Sequence, residues 1–300
     1  MTVRICALAA VALLLTGAAE PSETTVTGDR TIAITAGGVL ARLRIDPGAP
    51  TAPIFNPDFA KRAGFRPLWI GIQARIGPVK VPGYTAVIRL DLGEFDLGGG
   101  EFKRGIAWFD APYVAGADVS AGPGLLPADR VRFVLGPARA GERSVSIPLA
   151  NFGRLGMGVY LMAGGERIAV SFSLDRPLSF ATASAGASLA ASNAGRFDAE
   201  PEQMPIHLGV VRPVRHMALG TPFTVGPLSV AGLMVRTGDF GSAASIPEGE
   251  LPDVDPDEIL VTGKKKRKGE QRLLIGRDQL DRCSSILFDK RAKLVTLSCR

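Results

Sequence analysis

The sequence predicts an all-β fold built from two related halves of one chain. Three observations carry this. The 300 residues include 36 Gly and 22 Pro, and no long run shows helical periodicity. Two separate stretches alternate with the period of a half-buried strand: Val39, Ala41, Leu43 and Ile45 share one face, as do Ile168, Val170, Phe172 and Leu174. Both stretches end in a carboxylate, Asp46 and Asp175, 129 residues apart.

Taken in order, residues 1–19 read as an export signal. Arg4 gives a positive start, 5–15 an apolar core, and Gly17-Ala18-Ala19 a small-residue cleavage site. The core is too short to span a bilayer, so no integral membrane segment is expected after signal removal, and the mature chain is expected in the periplasm or secreted. Residues 20–30, polar and rich in Ser and Thr, read as a flexible lead-in.

A hairpin follows, 31–35 and 39–45 joined by Ala36-Gly37-Gly38. Its second strand turns Arg42 and Arg44 away from the apolar face and delivers Asp46 into the turn Asp46-Pro47-Gly48-Ala49. Residues 56–63 read as a short helix closing on Ala63-Gly64-Phe65, and 79–90 as a strand region carrying Tyr84.

The same markers then recur. Ala163-Gly164-Gly165 repeats the first glycine turn 127 residues on, 187–194 repeats the helix, and Phe223-Thr224-Val225-Gly226 answers Phe95-Asp96-Leu97-Gly98 at 128. Gly122-Pro123-Gly124-Leu125-Leu126 corresponds to Gly276-Arg277-Asp278-Gln279-Leu280 at 154, which implies an insertion in the second half, at about 243–271. There an acidic run (Glu248, Glu250, Asp253, Asp255, Asp257, Glu258) gives way to Lys264-Lys265-Lys266-Arg267-Lys268. Segregated charge with Pro and Gly reads as a solvated loop, with docking on an anionic surface as the other reading. The expected units are therefore lobes at 31–150 and 151–300, the second carrying the insertion.

Charge excludes several functions. The formal net charge is +6, or +5 without Arg4, and the five cations of 264–268 account for that excess. No basic face suited to nucleic acid remains. Two histidines, His207 and His216, do not suggest a metal cluster, and no nucleophile elbow, phosphate loop or zinc spacing is present. Ser229 lacks a base partner. Trp69 and Trp108 read as core or cleft-wall aromatics. Cys283 and Cys299 flank a predicted hairpin centred on Arg291, which would set them face to face; export favours a disulfide over two reduced core thiols.

The order of strand, Asp turn, short helix, glycine-marked hairpin and Gly-x-x-x-Leu segment before a last hairpin resembles one lobe of the pepsin and retropepsin type of aspartic peptidase, present here twice. Ile45-Asp46-Pro47-Gly48-Ala49 is similar to the family's Asp-Thr/Ser-Gly-Ala loop, with Pro47 at the hydroxyl position. Leu273-Leu274-Ile275-Gly276-Arg277-Asp278-Gln279-Leu280 is similar to the apolar-apolar-Gly segment behind that loop. The resemblance covers 31–300 and implies a two-lobed acid-protease-like fold with an inter-lobe cleft complete in a monomer. It implies Asp46 and Asp175 as the catalytic pair, one activating water while the other, protonated, polarises the scissile carbonyl. It also implies Gly48, Ala49 and Arg176 as substrate-binding positions, and Tyr84 as a flap residue or else a Tyr on an exposed hairpin. This chemistry needs no cofactor.

The chain departs from the family at both loops. Pro47 removes one hydroxyl, and Asp175-Arg176-Pro177-Leu178 has neither the hydroxyl nor the glycine amide. Without that donor, burial is expected to raise the Asp175 carboxyl, and Arg176, if turned inward, to oppose the rise. Two functions stay open. One is a degenerate protein that captures extended peptide or a partner by strand pairing. The other is an active endopeptidase cleaving exported proteins.

Overall fold

The structure is a computed structural model and describes residues 20–66, 89–97, 101–206, 211–237, 241–249 and 271–300. The export signal, Trp69, Tyr84, His207 and 250–270, with the basic run, lie outside the described residues.

The chain is mostly β. Strand β1 (Glu23–Val26) precedes the hairpin β2 (Thr31–Ala36) and β3 (Val39–Ile45). Then come β4 (Ile54–Phe55), α1 (Pro57–Arg62), β5 (Arg89–Asp96), β6 (Glu101–Trp108) and β7 (Val119–Ala121). Strands β2-β3-β7-β4-β6-β5 close into a barrel. The alternation read in the sequence sets its inside: Ala41, Leu43 and Ile45 are buried, as are Phe55, Phe59 and Phe95, whose rings stack on that of Phe55 at 5.3 and 5.8 Å. Trp108 is buried against Phe65.

Strands β8 (Arg130–Val134) and β9 (Arg143–Asn151) lead to the hairpin β10 (Met157–Ala163) and β11 (Glu166–Phe172). After these come β12 (Phe180–Ala181), α2 (Ala183–Asn193), β13 (Gly195–Phe197), β14 (Glu202–Pro205), β15 (Val211–Val225) and β16 (Leu228–Arg236). The chain ends with β17 (Arg272–Ile275), α3 (Arg277–Leu280), β18 (Cys283–Asp289) and β19 (Leu294–Cys299). Strands β10-β11-β17-β12-β16-β15 pair in the same order and directions as the barrel strands, including parallel β11–β17 and β12–β16 to match β3–β7 and β4–β6. The second set is not closed: β10 pairs β9, and the sheet runs on through β19, β18 and β8 to β1.

Three details differ from the sequence reading. The lead-in 20–30 is not a free tail: β1 pairs in parallel with β8, a long-range ladder that leaves no local sequence signal. Helix α2 begins at Ala183 rather than 187, because the Thr182 side chain accepts from the Ala185 amide and caps it there. The C-terminal hairpin, Ser285↔Ser298 to Asp289↔Leu294, is centred between Arg291 and Ala292. A bulge at Ser284 restores the register, so Cys283 faces Cys299 and the two form a disulfide. The boundary set at 150/151 falls at the end of β9, inside the sheet that joins first-half strands to β18 and β19. No helix among the described residues is long and apolar enough to cross a membrane.

Candidate functional site

The parallel pairings place the two Asp-bearing turns together. Strand β3 runs beside β7 and β11 beside β17, and each carries its chain to a turn at its C-terminal end. The two turns touch: a Cβ added to Gly48 would stand 2.6 Å from the Phe172 carbonyl oxygen, so only glycine allows this approach.

Asp46 is buried, with its carboxylate surrounded by donors. Its Oδ1 accepts the Leu174 amide at 2.7 Å, the Asp175 amide at 3.2 Å and Arg30 Nη1 at 3.2 Å; its Oδ2 accepts the Gly48 amide at 3.2 Å. The Asp175 carboxylate lies at the same junction but is about a third exposed. Its Oδ1 takes Arg30 Nη2 at 2.7 Å and Arg44 Nη1 at 3.2 Å. One guanidinium thus bridges both acids. The Arg30 backbone sits at φ 58, a left-handed conformation that costs a non-glycine residue about 1–2 kcal/mol. It is held by its amide on the Thr27 carbonyl and its carbonyl on the Ile45 amide.

Burial pushes the Asp46 carboxyl up to about 6, helped by the Asp175 charge; the Leu174 amide, the Ser173 hydroxyl and Arg30 pull against it. The second loop gives two of its amides, those of Leu174 and Asp175, to Asp46. Guanidiniums occupy Asp175 where Pro177 has no N–H to offer.

The other expected positions fall nearby. Gly48 donates to Asp46, as above, and Ala49 is buried, its amide closing the turn on the Asp46 carbonyl. Arg176 Nη1 donates to the Pro205 carbonyl at 3.1 Å and its charge also interacts with Asp46 and Asp175, while Arg30 and Arg44 ion-pair Asp175 directly. Tyr84 lies outside the described residues.

Three site residues escaped the sequence reading. Arg30 sits in the segment read as a flexible lead-in. Arg44 sits on the strand face read as solvent-facing. Tyr113, between β6 and β7, has its hydroxyl pushed up to about 12 by burial and by the Asp46 charge, so it stays protonated across the physiological range. Alternation could have flagged Arg44, next to Asp46 on β3; nothing local marks the other two. Among the described residues no group of three or more His, Cys, Asp or Glu side chains could hold a metal ion.

No family model matches the sequence, and no curated protein matches it. Among solved structures, the chain is similar to the retroviral protease-like domain of Ddi1 from Leishmania major. The identity is 21%, with 31% of this chain and 71% of that chain covered and a TM-score of 0.23.

Proposed function

We propose that this is an exported, two-lobed protein of the aspartic-peptidase type whose paired carboxylates no longer cleave, and whose inter-lobe cleft holds an extended peptide or partner segment. The recurrence of one strand order in the two halves supports the lobes, and the meeting of Asp46 and Asp175 supports the cleft. The leader read at 1–19 supports export, and the Cys283–Cys299 disulfide fits an oxidising compartment.

The single observation that carries the loss of turnover is Arg30, with one nitrogen on each carboxylate. A cleaving pair must share a proton and hold a water between its oxygens. Here a cation occupies that bridge, and Asp46 Oδ1 already accepts two backbone amides. At neutral pH Asp46 is ionised and paired. In acid it gains a proton, and Arg30 still holds Asp175.

The alternative is an acid-acting endopeptidase, which draws on the raised carboxyl of Asp46 beside a second acid. The test compares wild type with Asp46→Ala and Asp175→Ala for cleavage of unfolded protein between acidic and neutral pH, and for peptide capture. The expected result is capture without cleavage. Strong proteolysis by wild type that vanishes in both variants overturns the proposal.

A further inference from the structure

A concavity of about 410 Å³ opens on the face formed by β9, β10, β11 and β17, within the size range of ligand sites. It exists because small residues stand beside large ones. Across neighbouring strands Tyr160 pairs with Ala169 and Ala169 with Arg272, so the alanine leaves a hollow between an aromatic ring and a guanidinium. Beside it, a Cβ on Gly158 would fall 2.7 Å from the Phe152 ring; glycine lets that ring lie down on the strand.

The hollow is ordered by its own contacts. Phe152 and Tyr160 meet edge to face at 5.2 Å, and the Arg167 guanidinium lies 4.4 Å above the Tyr160 ring. The surface around it is unusually apolar: Leu155, Tyr160 and Met162 remain 49%, 43% and 62% exposed within eight residues of chain. Two arginines line the hollow, and among the described residues its lining includes no Asp or Glu.

We propose that this face docks an extended acidic–apolar segment of a partner protein, an interaction separate from the Asp46–Asp175 site and independent of its reading. Charge complementarity selects the partner. Arginine is weakly hydrated and forms forked bonds to carboxylates, so Arg167 and Arg272 favour acidic side chains, while the rings and Leu155 take apolar ones. Met162 lies two residues along β10 from Tyr160, about 7 Å farther on, and extends the patch beyond a small molecule.

The test uses the whole mature chain and a fluorescent peptide, Glu-Leu-Asp-Phe-Glu-Leu-Asp, with a counterpart carrying Lys at every acidic position. Anisotropy should show saturable binding of the acidic peptide alone, weakening with added salt. Arg167→Glu and Met162→Glu, both changes at exposed side chains, should each weaken binding at least about tenfold. Leu40→Ser, at the most exposed large apolar side chain among the described residues, should leave it unchanged. Absence of binding, equal binding of the lysine peptide, or full binding by both glutamate variants would overturn the proposal.

Discussion

At Asp46 two opposing forces act on one carboxyl group. Burial and the neighbouring Asp175 charge favour the proton, while amides, the Ser173 hydroxyl and Arg30 favour the anion; the balance leaves the group at about 6 against 3.8 in the unfolded chain. The folded state therefore keeps a proton that the unfolded chain has released. Stability contributed by Asp46 is highest below about pH 4 and falls as pH rises to about 6, by about 3 kcal/mol for a shift of this size. Asp46→Asn removes that titration. The difference in unfolding free energy between wild type and variant should drift by this amount over that window and stay flat above it, as measured by urea unfolding at several pH values. A second residue is equally constrained. Gly48→Ala places a methyl 2.6 Å from the Phe172 carbonyl, which must push the two turns apart. We expect a loss of about 2 kcal/mol, read as a lowered Tm.

Single elements were legible wherever the sequence carried a period or a cap. Alternation located β3 and β11 because one face of each is buried, and glycine turns located the ends of β2 and β10. The helix read at 56–63, closing on Ala63-Gly64-Phe65, contains α1 at Pro57–Arg62. What stayed hidden depends on distant partners. Strand β1 exists through β8, more than a hundred residues away, and Arg30 acquires its place only when loop 173–175 folds against it. Arg44 looked solvent-facing because alternation reports which face is apolar, not what covers the other one. The last hairpin shows the same limit on a small scale. Its pairing was readable, but the Ser284 bulge was not: its carbonyl accepts the Leu135 and Gly136 amides, and its own amide donates to Glu142. The disulfide closes this hairpin, with a sequence separation of 16. Replacing Cys283 and Cys299 by serine should lower stability by about 3 kcal/mol in the chain-entropy account, measured by denaturant unfolding.

Across the whole molecule, the barrel and the second set of strands meet at one charged junction, while β1, β8 and β9 of the first half join the long sheet of the second. Arg30, at the end of the N-terminal segment, is bonded to Asp46 of the first set and to Asp175 and the Leu174 carbonyl of the second. Removing it strands a buried anion. Arg30→Ala should cost about 3 kcal/mol at neutral pH and less near pH 4, where Asp46 is protonated; thermal unfolding at the two pH values checks this. The central claim is that these acids form an ion-paired junction rather than a proton-sharing pair. Its most direct test is the carboxyl-carbon NMR titration of Asp46 in wild type and Arg30→Ala. The account predicts that Asp46 loses its proton near pH 6 in wild type and at higher pH in the variant, since a stabilising cation is gone. An Asp46 that stays protonated through pH 7 in wild type, with no change when Arg30 is removed, would contradict it.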